Sequence, residues 1–132
     1  MNYPVLYSPY DAAMWDSIAH DAMAIQQCTE CGTFRYPPGA SCPSCLSVGF
    51  DWTRLSGRAN ALSWATFHRQ YLPAYPAPHT VVAARLEEGP ILIAGIDAAE
   101  KPGLQLDVAL QVITRDHPDG YKVPWFTLAA RR

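Results

Sequence analysis

Cys28-Thr29-Glu30-Cys31 and Cys42-Pro43-Ser44-Cys45 are two C-x-x-C pairs with ten residues between them. Two intervening residues let a tight turn aim both sulfurs of a pair at one point. Two such turns facing each other place four thiolates around one metal ion, with Zn–S near ~2.3 Å. Gly32, directly after Cys31, lets the chain bend back past the metal. The spacing predicts one zinc ion, Zn2+, in a small zinc ribbon held by Cys28, Cys31, Cys42 and Cys45; iron in a rubredoxin-like site takes the same four thiolates. The competing chemistries are a pair of disulfides or a redox dithiol, and a redox dithiol calls for one pair at a helix start. With every ligand supplied by protein, no coordination position remains for substrate. The metal is therefore expected to be structural, its binding energy serving to fold a segment with few apolar residues.

Other chemistry is thinly represented. His20, His68, His79 and His117 fall in no metal or triad spacing, and the carboxylates are scattered. There is no Gly-rich phosphate loop and no G-x-S-x-G elbow. The chain is expected to have no catalytic residues of its own. One stretch stands out: Phe67-His68-Arg69-Gln70-Tyr71 leads into Leu72-Pro73-Ala74-Tyr75-Pro76-Ala77-Pro78-His79, stiffened by three prolines. Arg69 suits a phosphate, and Tyr71 or Tyr75 suits an adenine ring or an acyl passage. Aromatic residues and Arg are also enriched at protein interfaces, so contact with a partner or with the ribbon is the simpler expectation for Phe67, His68, Arg69, Tyr71, Tyr75 and His79.

These residues need elements to hold them. Ser8-Pro9-Tyr10-Asp11 is a helix start, with Ser8 as cap, Pro9 at the first turn and Asp11 reaching back to a free amide. Met14, Trp15, Ile18 and Ala22 then give an apolar stripe along residues 9–22. An exposed Trp15 on such a helix is a candidate docking point; packing on its own domain is the alternative. From Ala24 to Trp52 the chain reads as cysteine-punctuated loop, with an extended arm over 33–39. Strands follow at 58–71, 80–86, 91–96, around Val108–Val112 and at 122–128, separated by Glu87-Glu88-Gly89-Pro90, Lys101-Pro102-Gly103 and Asp119-Gly120. Five short strands predict a small β-barrel, first an OB-fold and second an SH3-like barrel.

Bulk properties narrow the function classes. The 132 residues are 49% hydrophobic and 17% charged, as suits a folded globular chain. The net charge of −2 and only two lysines, Lys101 and Lys122, count against a protein that grips phosphate backbones. No apolar run approaches the ~20 residues of a membrane span. Residues Met1 to Tyr10 lack the pattern of a signal peptide. A cytoplasmic, reducing setting is expected, which favours metal over disulfide at the cysteines.

Taken together, Gln27 to Gly32, Phe34 to Pro38, Cys42 to Cys45, Trp52, Ser56-Gly57, Val81 to Leu86, Glu88-Gly89-Pro90, Gly95 and Val123 to Phe126 resemble a known family. It is that of the acyl-CoA-associated OB-fold proteins with an N-terminal rubredoxin-like zinc ribbon. The resemblance runs from about Asp11 to Leu128. It departs after Cys45, where Leu46-Ser47-Val48-Gly49 stands in place of the usual Gly-Ser. It implies a mostly β chain: a helical segment over 1–23, a zinc ribbon over 24–53 and a five-stranded OB-fold barrel over 54–132. It also implies a non-catalytic accessory subunit of a thiolase-like acyl-CoA enzyme, of the thiolase, acyltransferase or steroid side-chain aldolase type. Such a subunit stabilises its complex and helps to hold the acyl-CoA. Thiolase-fold enzymes are dimers, so a heterotetramer is expected, docked through Trp15 and the barrel aromatics. The alternatives are a single-stranded nucleic-acid-binding OB-fold and a stand-alone acyl-CoA-binding protein.

Overall fold

A computed structural model describes residues 4–129; residues 1–3 and 130–132, at the ends of the expected helical and barrel segments, lie outside the described residues. Helix α1 spans Asp11–Ala19. Its start lies two residues later than expected, with Tyr10 rather than Ser8 at the N-cap and no side-chain capping bond there. Asp11 does reach back, its Oδ2 accepting from the Tyr7 and Ser8 amides (2.7 and 3.1 Å), and Ser8 Oγ accepts from the Tyr10 amide in the preceding turn. The helix is shorter than the expected 9–22. The His20 and Asp21 amides fold back onto the carbonyls of Ser17 and Ile18, and Asp21 turns left-handed at φ 57°.

The helix is not a detached docking element. Met14 and Ile18 belong to the main core, and Trp15 is half-buried against it with its ring edge-on to Tyr121 at 6.2 Å. The expectation of an exposed Trp15 is corrected by this packing: its face of the stripe lies on the last barrel strand.

The ribbon sheet has order β2-β1-β3, built from β1 (Ala24–Cys28), β2 (Phe34–Arg35) and β3 (Phe50–Arg54). The expected arm over 33–39 shrinks to two residues, because Pro37 and Pro38 have no N–H with which to continue a ladder. Strand β3 went unread in the sequence, yet it pairs with β1 along its whole length, from Ala24↔Arg54 to Cys28↔Phe50.

The barrel follows: β4 (Arg58–Phe67), β5 (His79–Leu86), β6 (Ile91–Ile96), a short 3-10 helix (Ala98–Gly103), β7 (Ala109–Asp116) and β8 (Lys122–Leu128). Its strands close in the order β4-β5-β6-β8-β7, with β4 pairing back to β7. The β6–β8 pair is parallel and the others are antiparallel. This crossing, which skips one strand, is the Greek-key closure of an OB-fold and sets aside the SH3-like alternative. A bulge between Ala61 and Ser63 reverses the facing of β4. Ala59 and Ala61 point inward before it; Trp64, packed against the core, and Thr66, bonded to the buried Thr80, do so after it. Strand β4 ends at Phe67 rather than Tyr71. Ile18 and Ile25 share one core with Val82, Leu92, Leu110 and Phe126, so helix, ribbon base and barrel bury apolar surface together.

Candidate metal centre and aromatic ladder

Each C-x-x-C pair forms the same turn. The Gly32 amide donates to the Cys28 carbonyl, and the Leu46 amide to the Cys42 carbonyl, both at 3.0 Å. The Cys28 amide donates to Thr33 O at 2.9 Å and the Cys42 amide to Ser47 O at 2.8 Å. The residue after the second cysteine is left-handed in both turns, Gly32 at φ 77° and Leu46 at φ 65°. The glycine missing after Cys45 is thus replaced by a leucine held in a glycine conformation.

The four sulfurs converge within 4.8 Å of one another, with Cys28–Cys45 at 3.6 Å and Cys31–Cys42 at 3.5 Å. A tetrahedral Zn–S shell has an S···S edge of about 3.8 Å, so the donor set fits a four-thiolate centre. All four cysteines are free of disulfides. Backbone amides prepare the anionic state: the Glu30 amide reaches Cys28 Sγ and the Ser44 amide Cys42 Sγ, each at 3.4 Å. The Cys31 and Glu30 amides hold the Cys28 thiol below the ordinary range, and the Cys45 and Ser44 amides hold Cys42 down to about 6. The Ser47 amide favours a Cys45 thiolate, but the crowding sulfurs of Cys28, Cys31 and Cys42, together with burial, push it up to about 12. Four thiols in this geometry shed their protons together only when a cation sits among them. The cluster has the character of a structural metal site.

The second feature lies at one mouth of the barrel, where the β4–β5 loop meets the β7–β8 loop. Phe67 stands edge-on to Tyr71 (6.0 Å) and stacks on His79 (6.4 Å); Tyr75 stacks on His79 (4.9 Å) and on Trp125 (6.5 Å). The run continues from Tyr75 to His117 (5.8 Å) and from His117 to Tyr121 (4.3 Å), which meets Trp15. Arg69 lies over Tyr71 and Arg115 over Trp125, at 5.9 and 5.3 Å. Burial holds His79 below the usual imidazole value, and burial raises the Tyr75 phenol. A small apolar cavity of about 280 Å³ opens among Phe67, Arg69, Tyr71, Leu72, Tyr75, His79 and Val81. A larger cleft of about 770 Å³ lies between the ribbon and the Glu87–Pro90 turn; it is more polar and open, and it holds none of the ladder residues.

Of the contact residues expected from sequence, Phe67, Arg69, Tyr71, Tyr75 and His79 come together here, and Trp15 joins from the far end. His68 does not: it lies just past the end of β4, exposed and outside the cavity lining. Sequence reasoning missed Trp125, His117, Tyr121 and Arg115. Their only signal was aromatic content beside the Asp119-Gly120 turn; nothing local ties that turn to a loop some forty residues earlier. Among the described residues no helix is long and apolar enough to cross a membrane.

Comparison with known proteins places these features. Residues 15–51 match the family model described as "ChsH2, rubredoxin-like zinc ribbon domain". The chain is 31% identical over 109 residues to a "Probable enoyl-CoA hydratase alpha subunit" of Thermomonospora curvata. That match takes in 80% of this chain but 34% of the relative, so the chain spans about a third of that protein's length. Among solved structures, a chain of the "Ltp2-ChsH2(DUF35) aldolase" superposes with a TM-score of 0.86 at 23% identity, covering 96% of this chain and 100% of that one. The architecture read from the sequence, a ribbon followed by an OB barrel, is thereby shown at the level of the fold, with the family match confined to residues 15–51.

Proposed function

We propose, for a chain that carries a ChsH2-type zinc ribbon on an OB barrel, the role of a non-catalytic accessory subunit in a thiolase-like acyl-CoA enzyme of aldolase or thiolase type. The observation that carries this reading is the aromatic ladder. It joins the two loops at the barrel mouth, where OB-folds take their ligands, to Trp15 of the helix, and it exposes Phe67, Tyr71 and Leu72. Aromatic side chains backed by a rigid barrel are the usual anchors of a protein interface. The similarity to a CoA hydratase subunit and to a chain of an aldolase complex points to the class of partner.

In this reading zinc occupies the four-cysteine centre and fixes the ribbon. Arg69 and the small apolar cavity contribute to holding the acyl-CoA at the junction with the enzyme, and two small subunits sit on an enzyme dimer. A reducing cytoplasm is the matching compartment, since the thiols are needed as metal ligands. The expected segments 1–23, 24–53 and 54–132 are proposed as parts of one folding unit.

The test is purification of this protein from its native lysate, with mass spectrometry of what stays bound. A thiolase-like enzyme at equal stoichiometry, poorly active or insoluble when made alone, supports the reading. Tyr75→Ala and Trp125→Ala should each weaken that complex by about tenfold or more, as hot-spot anchors do. A fully active lone enzyme, with none captured, sinks the proposal. Capture of nucleic acid instead would point to a single-strand binder, against which the ring faces already stacked on one another weigh. Calorimetric binding of acyl-CoA by the isolated chain would favour the stand-alone role.

A further inference from the structure

Between Ala24 and Thr53 the chain has a single cationic side chain, Arg35, against the carboxylates of Glu30 and Asp51. Four thiolates around a divalent ion add a further net charge of about −2. Arg35 lies in β2 opposite Gln26 and is only 4% exposed. A guanidinium does not give up its proton, so the charge goes into the interior with it. Burial of a cation is costly unless something compensates it.

No ion pair among the described residues involves Arg35. Its Nη1 donates to Gly39 O and its Nη2 to Gly49 O, both at a long 3.3 Å. Its Nε has no partner, and the guanidinium lies 5.2 Å from the Phe50 ring centroid. Neutral carbonyls and one ring face do not balance a full charge. The carbonyl of Gly49 also accepts from the Thr29 amide at 3.2 Å, directly after ligand Cys28. Gly39 stands on the loop that delivers Cys42. The guanidinium is thus one shared carbonyl oxygen away from the first metal turn and tied to the approach to the second.

We infer that Arg35 is the counter-cation of the four-cysteine metal centre, lowering the cost of gathering four thiolates in a small ribbon while the centre's negative charge offsets the burial of Arg35. Charges inside protein are felt through a dielectric well below that of water. The inference rests on the metal centre of the proposed function and not on its partner enzyme.

The experiment uses the full chain and its Arg35→Lys, Arg35→Met and Gln26→Leu variants, each loaded with zinc and, separately, with iron. Zinc retention is read by competition with a chromogenic chelator, and the iron form by its midpoint potential. Arg35→Met should hold zinc about tenfold more weakly and shift the iron potential to lower values, since oxidised iron is the less negative state and gains from losing a neighbouring cation. Arg35→Lys should stay close to the parent. Gln26→Leu breaks the neutral hydrogen bonds to Gly39 and should leave the potential unmoved. An Arg35 with only a structural part predicts otherwise, because an apolar side chain in place of an unpaired buried cation packs at least as well. Parental affinity and potential in Arg35→Met overturn the inference, as does a potential shift in Gln26→Leu equal to that of Arg35→Met. Loss of metal by Arg35→Met alone supports it, whereas loss by Arg35→Lys as well overturns it, since charge is then not what matters. A parent chain that takes up no metal overturns the centre and its counter-cation together.

Discussion

Single residues decide how tightly the ribbon turns. Leu46 is 75% exposed and left-handed, in the place that Gly32 fills in the first turn. A side chain there costs roughly 1–2 kcal/mol of backbone strain, partly offset by glycine's greater freedom in the unfolded chain. Leu46→Gly is therefore expected to stabilise the metal-bound protein by about 0.5–1 kcal/mol. Gly32→Ala should destabilise by about 1 kcal/mol, although nothing lies within 4 Å of an added Cβ, so the cost is one of conformation and not of space. Denaturant titration of both variants, with metal content held equal, checks the pair.

Asp21 is a second case. It accepts a hydrogen bond from Thr114 Oγ1 and pairs with Lys122 Nζ at 2.9 Å, clasping the end of the helix to β7 and β8. The Thr114 hydroxyl first, and then Lys122, lower its pKa below the ordinary 3.8. A carboxylate depressed in the folded state stabilises above its unfolded pKa, and that gain fades as pH falls through the folded value. Asp21→Asn, which tolerates the left-handed backbone, should lower the melting temperature near pH 7. The difference from the parent should close below about pH 4. A constant difference across that window would show that charge is not involved.

Elements meet where one of them gives way. Trp125 lies flat on Gly95 of β6, and a methyl at that glycine would overlap the indole ring. The tryptophan joins the ladder through Tyr75 and His79 and donates from Nε1 to Asp97 at 3.2 Å. Gly95→Ala is expected to cost about 1–3 kcal/mol as an overpacking change, to displace the ring and alter its fluorescence, and to weaken partner capture. Unchanged fluorescence with full stability would mean that the ring moves aside freely. Of these contacts the sequence showed only the Gly95 strand and the terminal Val123-Pro124-Trp125-Phe126. Their meeting depends on β6 and β8 running parallel, a pairing between segments some thirty residues apart that leaves no local mark. The bulge in β4 is similar: strict alternation read straight through Ala61 and Leu62 puts the later side chains on the wrong face.

At the scale of the whole molecule, metal and barrel are coupled. Met23 and Ile25, just before and within the strand that leads to Cys28, belong to the core that also holds Phe126 and Leu110. Removing the metal therefore loosens more than the ribbon tip. Chelation, or Cys42→Ser, is expected to lower the melting temperature of the chain in one cooperative transition, since the metal's binding energy is folding energy. Calorimetry with and without chelator checks this; two separate transitions would mean that ribbon and barrel fold independently.

The sequence by itself determined the four-cysteine cluster, because ligand type and a two-residue gap are local properties that a tight turn converts directly into geometry. It also determined the presence of the helix and most barrel strands, whose signals repeat over a few neighbouring residues. Only the tertiary structure decided that Trp15 packs inward, that His68 stays out of the cavity, and that Trp125, His117 and Tyr121 complete a ladder begun at Phe67. Those outcomes follow from barrel closure and from one bulge, which bring together loops distant along the chain and fix which side of each strand is buried.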